Sequence, residues 1–235
     1  MNKIEKTLLM VRALDQATDF VAELDISNTV MFAPMVKIKP LNVKDPTPTA
    51  HTLIFTSSNA VRLYACRTQK RDQNVLCVGS VTQKEAENAG FTVLKIFETA
   101  QNLISFFETQ TTHQNQIIYP RAQIVSLDLV KELMAMGYVA NDIILYQQTF
   151  LPLPQDAKIL IESSSVVLPV LSQEIAKRVQ AALICSKPDD LTIICISPKV
   201  AAIFDDITGV NIKISPKPDR ASLLALVKDS LISLI

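Results

Sequence analysis

Small hydroxyl residues gather at a few turns of this 235-residue chain, and turns of that kind expose backbone amides that favour anions. Thr56-Ser57-Ser58-Asn59 follows an apolar run ending at Phe55 and precedes a helix-like Ala60 to Tyr64. Gly79-Ser80-Val81-Thr82 follows a second run ending at Val78. Ser172 and Ser197 stand at the matching places in the second half, and Arg12 and Arg121 follow two further runs. At a helix start the first N–H groups have no partner within the helix, and each interaction with an anion is worth roughly 0.3–1 kcal/mol when exposed. A small hydroxyl caps the helix and also lets an anionic group approach the backbone. Taken singly, a Ser or Thr before a helix is more often only a cap. The recurrence of these turns points to a site for a polyanion. Arg12 and Arg121 leave two readings open: a guanidinium for a ligand carboxylate, or a salt bridge between domains.

Other chemistries lack their parts. No G-x-S-x-G elbow occurs, and no histidine lies beside a candidate nucleophile. With only His51 and His113, both in polar surroundings that read as surface, a zinc site is hard to assemble. The four cysteines form no C-x-x-C pair, and Cys77 and Cys195 sit in apolar runs where a thiol packs as a small hydrophobe. Four glycines leave no G-x-G-x-x-G and no Walker loop, which argues against a dinucleotide or triphosphate. No metal or cofactor is expected, and what remains is a cleft that binds a polyanion through backbone donors and hydroxyls. Basic and acidic residues balance at 23 each, so nothing suggests a nucleic-acid surface, and an anion must be held by local donors. No run approaches the roughly 20 apolar residues of a membrane span, and Leu8 to Val11 is too short for a signal core. A cytoplasmic protein is expected, and a monomer is the simpler assembly.

The elements that must position these turns read as α/β. Short apolar, β-branched runs (Leu8 to Val11, Thr29 to Phe32, Thr52 to Phe55, Val75 to Val78, Val93 to Ile96, Gln116 to Tyr119, Asp142 to Tyr146, Val166 to Leu171, Leu191 to Ile196 and Asn211 to Ile214) alternate with helical periodicity. Continuous rather than alternating apolar runs suit strands covered on both faces, as in parallel sheets. Helices are expected at Asp15 to Leu24, Ser126 to Met136, Gln173 to Leu183, Pro198 to Phe204 and Ala221 to Leu234. Gly90 and Gly137 each stand where a left-handed residue would end a helix. Glu108 to Gln116 reads as a loop, and the stretch with Pro34, Pro40, Pro46 and Pro48 reads as a linker or extended crossover. An internal duplication is visible: Met10-Val11-Arg12-Ala13 resembles Tyr119-Pro120-Arg121-Ala122, Phe55-Thr56-Ser57 maps onto Val170-Leu171-Ser172, and Cys77-Val78-Gly79 onto Cys195-Ile196-Ser197. In open parallel sheets ligands bind outside the carboxyl ends of the strands, where all these polar turns fall.

These segments carry a family resemblance. Ile54-Phe55-Thr56-Ser57-Ser58-Asn59-Ala60-Val61 is similar to the F-T-S-x-N-A-V segment of uroporphyrinogen-III synthases. Cys77-Val78-Gly79-Ser80-Val81-Thr82, with Ala86 and Gly90-Phe91 downstream, resembles that family's V-G-x-x-T-A…G-F segment, Val11-Arg12 its opening T-R-P, and Leu145-Tyr146-Gln147 its V-Y-x. The resemblance implies two lobes, each with a parallel sheet flanked by helices, joined by two extended linkers. Residues 1–34 and 152–235 would form one lobe and 41–146 the other, with linkers at 35–40 and 147–151.

It further implies a substrate, hydroxymethylbilane, a linear tetrapyrrole with eight carboxylates, closed to uroporphyrinogen III with inversion of ring D. Positioning would do most of the work, since geometry alone can be worth about 7–11 kcal/mol. Tyr146 matches the family's interlobe tyrosine and becomes the candidate acid for hydroxyl departure; lining the cleft is the other reading. Substrate-binding residues carried over are Arg12, Thr56, Ser57, Ser58, Asn59, Gly79, Ser80, Val81, Thr82, Arg121, Ser172 and Ser197. The second half departs from the family pattern. T-S-P-S is Leu171-Ser172-Gln173-Glu174 here, and G-x-T-T-A is Ser197-Pro198-Lys199-Val200-Ala201, where Lys199 offers a charge for a carboxylate or only solvates a helix. The alternatives are a two-lobed binding or regulatory module without catalysis, and a channelling partner of hydroxymethylbilane synthase.

Overall fold

Among the described residues, ten of the eleven strands grow from the apolar runs named above. The computed structural model describes residues 6–43, 52–110 and 116–232. Along the chain stand β1 (Thr7–Met10), α1 (Leu14–Leu24), β2 (Val30–Phe32), β3 (Val36–Pro40), β4 (Thr52–Phe55) and α2 (Ser58–Ala65). Next come β5 (Asn74–Val78), α3 (Ser80–Asn88), β6 (Val93–Phe97), α4 (Ala100–Glu108), β7 (Ile117–Ala122), α5 (Leu129–Ala135) and β8 (Ala140–Phe150). The last third holds α6 (Gln155–Ser163), β9 (Ser165–Val170), α7 (Gln173–Leu183), β10 (Asp190–Cys195), α8 (Pro198–Ala201) continued by a short 3-10 turn, β11 (Val210–Ile214) and α9 (Arg220–Ile232).

Two compact units result, one of residues 1–37 with 149–235, the other of residues 38–148. The first holds a sheet ordered β11-β10-β9-β1-β2, the second a sheet ordered β3-β8-β7-β4-β5-β6. The edge strand β3 apart, the neighbouring strands of both sheets pair in parallel, as between β9 and β10 or β4 and β5. The strands of β4 and β9 are buried along their whole length because helices cover both faces. In the six-stranded sheet, Leu53, Phe55, Val75, Cys77 and Ile118 pack under α2 and α3. On its other face Ile54, Leu76, Ile117 and Tyr119 pack under α4 and α5. In the five-stranded sheet α6, α7 and α8 cover one face and α1 and α9 the other.

The duplication explains the strand orders. Setting β7, β8, β4, β5 and β6 against β1, β2, β9, β10 and β11 gives one order for both sheets, with β3 added at an edge. This is the doubly wound order 2-1-3-4-5, whose direction of winding reverses between the strands in places one and three. The edge strand β3 apart, each unit therefore takes two strands from one half of the duplication and three from the other.

The borders between the two units fall inside the stretches expected as linkers, 35–40 and 147–151, and these stretches are largely strand, β3 and the end of β8. β3 reads Val36-Lys37-Ile38-Lys39-Pro40 with alternating exposure, and it lies at a sheet edge, where proline costs no ladder bond. The helix expected from Ser126 starts at Leu129, because the Asp128 side chain accepts from the Lys131 amide and caps it there. Helices α4 and α6 were not among the expected elements. Gly90 and Gly137 have φ of 87° and 89°, the left-handed ends expected of them. Pro46, Pro48, His51, His113 and Leu234 lie outside the described residues.

Candidate functional site

A cavity of about 370 Å³ opens at the carboxyl ends of β4 and β7, the winding-reversal point of the six-stranded sheet. The register shows why it opens there. β4 and β7 pair as Thr52↔Ile117 and Leu53↔Ile118, yet β4 runs on to Phe55 and β7 to Ala122. Their neighbours turn away in opposite directions along the sheet, so the rim between them is left for a ligand. The five-stranded sheet repeats this, with β1 and β9 paired at Thr7↔Val166 and Leu8↔Val167 only.

Strand alternation sorts the rim residues between the two faces. Thr56 continues the Ile54 face, and its hydroxyl lies 2.9 Å from that of Tyr119. Ser57 continues the Phe55 face, where the Tyr146 hydroxyl donates to Ser57 Oγ at 3.0 Å. Tyr146 reaches that face through a bulge in β8: Arg121 pairs with Ile144, but Ala122 pairs with Tyr146, so Leu145 is the extra residue. Leu145 and Tyr146 consequently both pack in the cluster under α2 and α3. Two phenols from opposite faces thus meet the adjacent hydroxyls of Thr56 and Ser57 at one rim.

Both phenols hold their protons tightly. Burial pushes the Tyr119 hydroxyl above its ordinary value of 10, against the opposing effect of the Thr56 hydrogen bond. Burial likewise pushes Tyr146 up, opposed by its bond to Ser57 and reinforced by Tyr119. The rim therefore presents neutral O–H groups throughout the neutral range.

Ser57 also caps α2, its Oγ accepting from the Asn59 amide at 3.2 Å. Thr56, Ser57, Arg121 and Tyr146 line the cavity among the residues expected from sequence. Most of the Arg121 donors are engaged: Nε donates to Asp142 at 2.7 Å, and one terminal nitrogen donates to the carbonyls of Ala122 and Gln123 at 2.8 and 3.0 Å. It holds a salt bridge, but with a residue of the same unit. Ser58 and Asn59 are buried in the first turn of α2. Gly79, with φ of 83°, caps α3, whose first turn carries Ser80, the exposed Val81 and the buried Thr82. These follow β5, whose last residue, Val78, lines the cavity, while the four themselves stand beyond its lining.

The other unit carries Arg12, Ser172, Ser197 and Lys199. Arg12 follows β1 at that sheet's winding reversal and donates to Gln16 Oε1 at 2.9 Å. Burial and the nearby Arg220 lower its pKa to about 10, partly offset by Asp15 and Asp19. Ser172 caps α7 by accepting from the Ile175 amide at 3.3 Å. Ser197 stands before α8 without such a bond, and Lys199 in that helix is exposed. Among the described residues no group of three or more His, Cys, Asp or Glu is placed to hold a metal ion, and no helix is long and apolar enough to cross a membrane.

Tyr119, Asp142 and the segment Ile124 to Leu127 belong to this site and its support, and sequence reading passed over them. One signal was available: Tyr119 and Arg121 are two apart on a strand and so share a face.

The family model for uroporphyrinogen-III synthase HemD matches residues 22–225. The chain belongs to the uroporphyrinogen-III synthase family. Members are cyclising lyases of haem biosynthesis, and tetrapyrrole chemistry is this chain's function. Among solved structures, uroporphyrinogen-III synthetase from Helicobacter pylori is similar at 18% identity and TM-score 0.62, over 94% of this chain and 97% of that one. A mutant uroporphyrinogen III synthase from the extremely thermophilic bacterium Thermus thermophilus is similar at 12% identity and TM-score 0.55, over 96% of this chain and 98% of that one. At such identities the likeness is one of fold: the uroporphyrinogen-III synthases share its two α/β units. A search of the curated proteins found no match.

Proposed function

We propose that this chain closes hydroxymethylbilane to uroporphyrinogen III with inversion of ring D, and that the cavity between β4 and β7 receives the reacting end of the substrate. The observation that carries the reading is the Tyr146–Ser57 hydroxyl pair at the rim, 3.0 Å apart and lining the cavity. A cavity of about 370 Å³ takes part of a linear tetrapyrrole, and polar and apolar groups both line it, as a pyrrole ring bearing carboxylates requires.

Tyr146 supplies a proton as the C–O bond of the hydroxymethyl group breaks, and the hydroxyl leaves as water. A raised pKa keeps the proton in place until a stronger base, the departing hydroxyl, develops beside it. The azafulvene left behind is attacked by the substituted carbon of ring D. The spiro intermediate fragments and recloses at the free carbon, and the proton lost there restores the phenol, so that only water leaves overall. The enzyme's larger task is to hold the chain so that the substituted carbon is the nearer one.

The eight carboxylates require donors beyond the cavity. Backbone amides and side chains at Ser58, Asn59, Gly79, Ser80, Val81 and Thr82 supply them in one unit. Arg12, Ser172, Ser197 and Lys199 offer donors of the same kind in the other unit. The protein works as a cytoplasmic monomer, and hydroxymethylbilane synthase supplies its substrate. Incubation with freshly generated hydroxymethylbilane, followed by chromatographic resolution of the product isomers, tests the reading. Type III product is expected; type I alone, at the spontaneous rate, would leave a binding module.

A further inference from the structure

We propose that Tyr119 is a second working phenol of this site, a positioning residue that acts through Thr56, and that the Thr56 and Ser57 hydroxyls together form a two-donor fork for one substrate carboxylate. The inference rests on the cavity being the substrate site. It starts from proton bookkeeping. A phenol is a better donor than an alkyl alcohol, so in each pair the tyrosine hydrogen goes to its neighbour, as Tyr146 gives its own to Ser57. Tyr119 and Thr56, 2.9 Å apart, form the other pair. Each pair then has one O–H left, and it belongs to Thr56 or Ser57. Accepting a hydrogen bond polarises the hydroxyl and strengthens the bond that it donates. Two adjacent residues thus present two sharpened donors to the same cavity, and a carboxylate, with two acceptor oxygens, is the group that uses both.

The duplication inside the chain separates a functional role from a structural one. Thr56 corresponds to Leu171 and Tyr119 to Met10, so both members of the pair are replaced together by apolar residues. Met10 is fully buried, and Leu171 packs against the same cluster. The winding-reversal point of this fold is therefore built without the hydroxyl pair in the same molecule. Its presence at β4 and β7 is not demanded by packing. The serine, in contrast, occurs in both copies as a helix cap.

The test compares wild type with Tyr119→Phe, Thr56→Val and the double variant. Three readouts are used: thermal unfolding, steady-state kinetics on hydroxymethylbilane, and fluorescence titration with uroporphyrin III, a stable octacarboxylate. The expectation is unchanged melting, KM and the uroporphyrin dissociation constant each raised about tenfold in both single variants, and kcat within about twofold of wild type. The double variant is expected to be no worse than either single one, because the two residues form one device. A folding control, Thr56→Leu with Tyr119→Met, imports the apolar pair of the other unit and should melt like wild type. Unchanged KM and unchanged uroporphyrin affinity in Tyr119→Phe would overturn the proposal, and so would strictly additive losses. If wild type makes no type III isomer while Tyr119→Phe still weakens uroporphyrin binding, the fork stands and the synthase reading of the cavity falls.

Discussion

Arg121 and Asp142 hold each other across neighbouring strands β7 and β8, with Arg121 Nε donating to the Asp142 carboxylate at 2.7 Å. The ladder places Tyr119 directly beside Asp142, so the pair braces the strand that carries the phenol. With one terminal nitrogen on the carbonyls of Ala122 and Gln123, the guanidinium serves β7 before it serves a ligand. Arg121→Ala is therefore expected to lower unfolding free energy by about 1–3 kcal/mol, since a charge-assisted network and a half-buried carboxylate partner are lost. Urea denaturation measures this. A variant as stable as wild type, with KM raised more than tenfold, would show that the guanidinium binds substrate instead.

Tyr146→Phe separates chemistry from packing. The ring stays buried and only the hydroxyl is removed, so the melting temperature should change little, the lost hydrogen bond being worth about 1 kcal/mol. A proton donor at the departing hydroxyl is worth on the order of a hundredfold in rate, and kcat should fall by about that factor. Single-turnover kinetics on hydroxymethylbilane gives the number. Loss of stability in proportion to loss of rate would reduce Tyr146 to a wall of the cavity.

Much of this arrangement was legible in the chain. The run Thr52–Phe55 and the helix Gln173–Leu183 stand where apolar content and periodicity put them, because covered strands and amphipathic helices leave strong local patterns. Edge strand β3 was lost to its prolines, read as a linker although Val36 and Ile38 alternate with lysines. Tyr119 was lost for another reason. Its partner Thr56 lies 63 residues away, and the two meet only because β4 and β7 become neighbours across the winding reversal. The side of the sheet on which Tyr146 lands depends on a single extra residue in β8, which no periodicity announces.

Cys77 and Cys195 occupy matching places in the two units, both fully buried, and burial pushes each thiol from 9.0 to about 12, with Glu87 adding to the effect at Cys77. A folded-state value above the unfolded one means that the native protein holds these protons more tightly. The stability linked to them is complete below pH 9 and is lost as pH rises toward 12. By pH 10 the loss should be on the order of 1 kcal/mol for each thiol. Urea titrations at pH 8, 9 and 10 would show the decline, and it should flatten in Cys77→Val with Cys195→Val. Tyr119 and Tyr146 bend the curve the same way above pH 10, so a residual slope is expected there. An equally steep decline in the double variant would mean that the thiols are not what titrates.

Arg12 is held at a cost. Burial and the neighbouring Arg220 bring its pKa down to about 10, so at neutral pH the fold carries a cation less favourably than water does, despite Asp15 and Asp19. Its bond to Gln16 is to a neutral group. Arg220, in contrast, is paired with Glu23 at 2.8 Å. A buried charge with partial compensation often stabilises the protein when replaced by an apolar side chain. Arg12→Leu is accordingly expected to raise unfolding free energy by about 1 kcal/mol or more at pH 7. The same variant should bind uroporphyrin III more weakly, because an incoming carboxylate is the compensation that the native fold leaves incomplete. Urea unfolding and fluorescence titration on one preparation measure both changes. A variant that is less stable and binds equally well would make Arg12 an anchor for α1 through Gln16, with no part in holding substrate.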